Sequence, residues 1–132
     1  MIFGTPSCAF NKVQVVKDVE PTPAAVAAGY LGRTIAANKG AVPGYDSSPD
    51  YNGTANAVLS LVAAGYGSDQ ITAATRTLRA NAVDFTRDDS NAVVPGEAAA
   101  LVLGAHATRA DPRSFGATNP VRDIRRSRTV AG

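Results

Sequence analysis

The residues of this chain that could do chemistry are few, and their spacing decides more than their number. Cys8 is the only cysteine and His106 the only histidine, so no internal disulfide can form and no Cys/His zinc set can be assembled. Asp88, Asp89, Ser90 and Asn91 bring oxygen-bearing side chains together, but they lack the alternating ligands and turn glycine of a calcium loop. A solvated loop is the expected reading there. His106 lies within a turn of Arg109 and is expected as a half-exposed residue near a helix end. No Ser, His and Asp stand at a spacing that suggests a nucleophile with its base. What remains is Asp50, Tyr51 and Asn56 at one helix start and Glu97 at another. Free amide donors and polar side chains can hold a ligand at such places, although the same residue types also serve simply as helix caps. Arg122, Arg125, Arg126 and Arg128 gather positive charge on about two turns, but no aromatic interleaves with them and nucleic acid is a poor fit. The sequence calls for no metal and no cofactor.

The elements that must position these residues read as helices. Pro21-Thr22-Pro23 sets up a start, with Thr22 as cap and Pro23 at the first helical position, where its missing N–H is not needed. Val26, Ala27, Tyr30, Leu31 and Ile35 then recur at helical spacing, and Gly40 marks a stop. Residues 41–53 are dense in Gly, Pro, Ser and Asp and read as a loop. A second helix is expected from near Thr54, with Ala55, Val58, Leu59, Val62 and Ala63 as its stripe and Ala57, Leu61 and Ala64 on its flanks. Gly65 and Gly67 end it, and Ser68 is placed to cap a third, whose narrower stripe is Ile71, Ala74, Leu78 and Ala82. A polar loop from Thr86 to Val94 leads to a broadly apolar fourth helix opened by Pro95. Asp111-Pro112 breaks the chain. Asn119-Pro120 opens a short last helix with Asp123 early and its arginines late, the order that suits the helix dipole.

These readings predict an all-α protein: an extended arm over 1–20, with a strand-like Lys12–Val16; two helical hairpins over 21–118; and a short basic helix or tail over 119–132. The second and fourth helices are apolar nearly all round while the first and third are one-sided, which argues for two layers with the second and fourth enclosed. Among the 132 residues, 45% are hydrophobic, but alanine carries much of that share and no tryptophan is present, so helices must approach closely to bury area. A net charge of +2 implies no polyanionic partner. No apolar run is long enough for a transmembrane helix, and Met1 to Phe10 does not read as a signal peptide.

Residues 54–71, TANAVLSLVAAGYGSDQI, match residues 98–115, AAALVLGAHATRADPRSF, at an offset of about 44, with Val58 on Val102, Leu59 on Leu103 and Ile71 on Phe115. With PDYNG before the first copy and Asp111-Pro112-Arg113-Ser114-Phe115-Gly116 closing the second, the stretch from Pro21 to Asp123 resembles the prenyltransferase and squalene-oxidase repeat family. The likeness is strongest to secreted and cell-surface bacterial members built as α/α toroids. The resemblance implies that the second and fourth helices are inner helices and that Asp50, Tyr51, Asn56 and Glu97 lie at their cavity-facing ends. It does not carry over a reaction. Asp84-Phe85-Thr86-Arg87-Asp88-Asp89 departs from the Asp-x-Asp-Asp acid motif of the cyclases, and the zinc ligands of protein prenyltransferases are missing. Four full helices are also fewer than a closed toroid uses. The expected role is therefore a non-catalytic repeat segment that binds a small apolar ligand, a protein partner or further repeats. A portion of a cyclase or prenyltransferase, or a remnant without independent function, are the alternatives. Self-association is expected through an apolar face bearing Val58, Leu61, Val62, Leu101 and Leu103.

Overall fold

The computed structural model describes residues 21–131. The arm over 1–20, with Cys8 and the strand-like Lys12–Val16, lies outside the described residues. Among those described there are six helices and one two-stranded ribbon, in the order α1 (Pro23–Ala37), β1 (Val42–Pro43), β2 (Pro49–Asp50), α2 (Tyr51–Ala64), α3 (Ser68–Ala80), α4 (Ala82–Thr86), α5 (Pro95–Ala107) and α6 (Pro120–Ala131). The described residues are all-α apart from that ribbon.

Thr22 Oγ1 accepts the Ala25 amide at 3.1 Å and Pro23 opens α1, as the local sequence requires. The buried face of α1 shares only Leu31 and Ile35 with the expected stripe. Ala28, Gly29, Gly32 and Ile35 face inward, whereas Val26 is 55% and Tyr30 67% exposed. Small residues win the inner face because the Tyr66 ring lies across Gly29 and Gly32, where side chains of any size would hold the helices apart. Helix α2 begins at Tyr51, three residues before the expected start. Asp50 is its cap, with Oδ1 accepting the Gly53 amide at 2.8 Å, so a glycine that reads as a loop residue sits inside the first turn.

Part of the expected 41–53 loop is the ribbon, in which Val42 pairs with Asp50 and Pro43 with Pro49. Thr54 fastens it to α2. The buried hydroxyl of Thr54 donates to the Asp50 carbonyl at 2.6 Å and accepts the Val42 amide at 2.9 Å. Further along, Gly67 rather than Ser68 is the cap of α3, in a left-handed conformation. The expected third helix divides at Asn81, whose Nδ2 donates to the Thr77 carbonyl at 2.8 Å, and Ala82 is buried on the separate short helix α4.

Helix α1 packs on α3 and α2 packs on α5, while α1–α2, α2–α3 and α3–α5 contacts join the two pairs. Helix α2 is thus covered on three sides. Its core gathers Ile35, Val58, Leu61, Leu78, Phe85, Leu101 and Phe115 with alanines between them. Helix α6 lies along α5. Asn119 Oδ1 caps it through the Arg122 amide at 3.0 Å, and the buried carboxylate of Asp123 pairs with Arg87 at 3.1 Å and with Arg122 at 3.7 Å.

The 44-residue offset of the sequence is also an offset of backbone geometry. Helices α2 and α5 start at Tyr51 and Pro95, and the Pro43–Pro49 pair has its counterpart in an Arg87–Val93 bridge. Within the two turns, Gly44 donates to Ser48 as Asp88 does to Ala92, and Ser47 and Asn91 adopt φ of 68° and 66°. Both helices close alike. Tyr66 donates to the Leu61 carbonyl and Ala110 to that of Ala105, around Gly65 at φ 65° and Arg109 at φ 60°. The buried positions correspond as well: Thr54 with Ala98, Ala57 with Leu101, Leu61 with Ala105. In the last two pairs the large and the small side chain change places, which suits layers that interdigitate.

Candidate functional site

The first turns of α2 and α5 open on one pocket. It has a volume of about 250 Å³ and is lined by Asp50, Tyr51, Asn52, Asp84, Phe85, Arg87, Glu97 and Pro49. Three of the four expected residues, Asp50, Tyr51 and Glu97, meet there from two different helices. The fourth does not: Asn56 is exposed one turn further along α2, where its backbone carbonyl accepts the Ser60 hydroxyl.

The wall of the pocket is aromatic. Tyr51 and Phe85 lie with ring centroids 5.9 Å apart and planes inclined by 38°, a tilted packing that fixes both rings. Its rim is acidic. Asp84 and Glu97 add carboxylates to that of Asp50, and the one lining cation, Arg87, is already engaged with Asp123. Asp50 spends one oxygen on its own helix, so Glu97 and Asp84 are the carboxylates most open to a ligand. Asp84, Phe85 and Arg87 were not legible as site residues, because nothing in the pattern separates α4 from α3 or turns it toward the start of α2.

Such a pocket offers hydrogen-bond acceptors, negative charge and an aromatic edge to a basic or amino-bearing group. Among the described residues no three His, Cys, Asp or Glu side chains are grouped to hold a metal ion. Asp88 is committed locally. Its Oδ1 accepts the Ser90 amide and hydroxyl and the Ala92 amide, and the Ser90 hydroxyl, then the Ala92 amide, hold the carboxyl below its ordinary range. Asp46 is lowered in the same way, first by the Ser48 hydroxyl and then by the Ser48 amide. His106 is exposed near the end of α5.

The expected association face is corrected by the packing. Val58, Leu61 and Leu101 are almost wholly buried, because α2 is covered by α1, α3 and α5 together. Val62 is half-buried against the core, and only Leu103, at 57%, is exposed. The apolar surface that does stay open lies elsewhere, in a groove of about 480 Å³ between α1 and α2 lined by Ala24, Ala27, Leu31 and Ala63 among others. No helix among the described residues is long and apolar enough to cross a membrane. No family model, curated protein or solved structure matches this chain.

Proposed function

We propose that this chain is a non-catalytic segment of α/α-toroid repeats, of the prenyltransferase and squalene-oxidase kind, that recognises a partner through the shared N-terminal edge of its inner helices. The observation that carries the reading is the convergence of Asp50 and Tyr51 from α2 with Glu97 from α5 on one pocket. Two tandem units at a constant offset support it, since stacking such units is how helical repeats build a continuous recognition edge. The chemistry of the edge favours a basic group: carboxylates at the rim, an aromatic wall, and a lining arginine occupied elsewhere. No nucleophile with an adjacent base stands there, and binding is the activity these groups can perform.

The test is a titration of the full chain with butylammonium and with a short arginine-bearing peptide, followed by amide chemical shifts. The expected shifts cluster on Tyr51, Asn52, Asp84 and Glu97 and weaken in Glu97→Gln and Asp84→Asn. Shifts scattered over the surface, or unchanged by both substitutions, would refute the reading.

A further inference from the structure

An open cavity lies at the other ends of α2 and α5. It measures about 670 Å³, within the range of small-molecule sites, and it runs along α3 beneath the turn that follows α5. Its floor is apolar: Val62, Ile71 and Ala110 pack onto the core and expose their remaining surface to the cavity. Its rim is cationic. Arg76 and Arg79 come from one face of α3 and Arg109 from the end of α5. We infer that this cavity binds a small anionic amphiphile, a molecule with one carboxylate or phosphate head and a short apolar body.

Three observations point the same way. First, the ion pairs among the described residues are those of Asp123 with Arg87 and Arg122, so none of the three rim arginines has a carboxylate of a described residue within 4.0 Å. Like charges gathered around one opening without a counter-charge favour an anion between them, and arginine presents its donors in the fork that suits carboxylate and phosphate oxygens. Arg79 is also positioned, its guanidinium carbon 5.2 Å from the centroid of the Phe115 ring.

Second, Arg109 takes a left-handed backbone conformation at the point where the first unit uses Gly65, with the same helix closure around both. Glycine enters that conformation freely and arginine does not. Strained backbone tends to collect at functional positions, and here the side chain of the strained residue lines the cavity.

Third, Thr75 Oγ1 is buried with no hydrogen-bond partner. Thr72, Thr77 and Thr108 each donate to the carbonyl four residues back, so a helical threonine in this protein has that route, and Thr75, on the cavity wall, does not use it. An unpartnered hydroxyl on this wall is a donor that a rotation about χ1 can turn toward a ligand oxygen. The inference stands apart from the toroid reading, since it concerns the opposite ends of the same helices.

The experiment is calorimetric titration of the full chain at low salt with octanoate, octyl phosphate, inorganic phosphate and octanol, each below its micelle-forming concentration. One of the two amphiphiles is expected to bind at least about tenfold more tightly than either octanol or inorganic phosphate, and which one does so identifies the head group. Arg109→Gly and Arg76→Gln should each weaken that ligand by about fivefold or more, and Thr75→Val by a smaller factor. Arg109→Gly is expected to relieve backbone strain, and its melting temperature, measured beside the titration, separates lost affinity from lost fold. Octanol binding as tightly as the amphiphiles, inorganic phosphate doing so, affinity unchanged in both arginine variants, or no binding at millimolar ligand would each overturn the inference.

Discussion

Among the residues with left-handed backbone, Gly65, Gly116 and Arg109 hold nearly the same φ in three different surroundings, and together they separate conformational cost from steric cost. Gly65 has φ 65° and open space where a Cβ would project; Gly116 has φ 62°, and a Cβ there would overlap the Arg79 carbonyl oxygen; Arg109 has φ 60° and already carries a side chain. An L-residue in this region costs about 1–2 kcal/mol relative to an unstrained one. Gly65→Ala should therefore lose about 1 kcal/mol and little more. Gly116→Ala bears the same conformational cost and must also displace main chain at the end of α3, for which about 1–3 kcal/mol is typical of overpacking. Its expected loss is about 2–4 kcal/mol. Arg109→Gly should gain about 0.5–1 kcal/mol as the strain is released, less whatever the more flexible unfolded chain takes back. Urea denaturation of the three variants beside the parent measures all of this, and the melting temperature should move by about 4 °C per kcal/mol for a domain of this length. Equal losses for Gly65→Ala and Gly116→Ala would show that the chain after Phe115 does not press on α3. A destabilised Arg109→Gly would show that the arginine side chain holds the fold together rather than straining it.

Thr54→Val removes the acceptor of the Val42 amide and should cost about 1–3 kcal/mol by urea denaturation, while the ribbon amides lose protection against hydrogen exchange; unchanged exchange at Val42 would contradict the fastening role. Leu61→Asp places a carboxylate at a position with no solvent exposure, so far-ultraviolet circular dichroism at 25 °C should show loss of helix; a folded variant that differs only in sedimentation would restore the association face. Asp46 and Asp88 have carboxyl groups held below the ordinary range in the folded protein. Their turns are thus supported at pH values above the unfolded-state value and lose that support as pH falls through the lowered one. Carboxyl carbon titrations should place both midpoints below that of a denatured control, and coincident midpoints would remove the stated cause.

Helix existence was legible because apolar spacing, Pro23, Pro95 and Asn119-Pro120 each act within a few residues of where they stand. The enclosure of the second helix was legible for a related reason: a helix apolar on most of its surface needs neighbours, and α2 has three, whereas the fourth, α5, keeps Leu103 exposed. What could not be read was which small residues win a contact. Alanine and glycine are nearly equivalent in pattern, and the choice of Ala28, Gly29 and Gly32 over Val26 and Tyr30 depends on where Tyr66 falls after a turn. The ribbon escaped because two-residue strands leave no alternation to find. Asp50, Tyr51 and Glu97 could be picked out as helix-start residues, but their meeting depends on α2 and α5 lying side by side with the same direction. Arg87 and Asp123 were out of reach for the same kind of reason, since 36 residues separate the two halves of that ion pair.

Helix α6 differs from the helix it covers. It is strongly polar, it joins the rest mainly along α5, and its one buried carboxylate reaches across to Arg87. A polar lid of this kind on a stack of apolar helices behaves as an end piece of a one-dimensional array, with a release free energy of its own below that of the whole. Subglobal opening would then begin here: α6 detaches as one cooperative unit and bares the flank of α5 while α1 to α3 remain closed. In amide exchange this appears as a common protection for the α6 amides that is lower than that of α2 and falls further in Asp123→Asn.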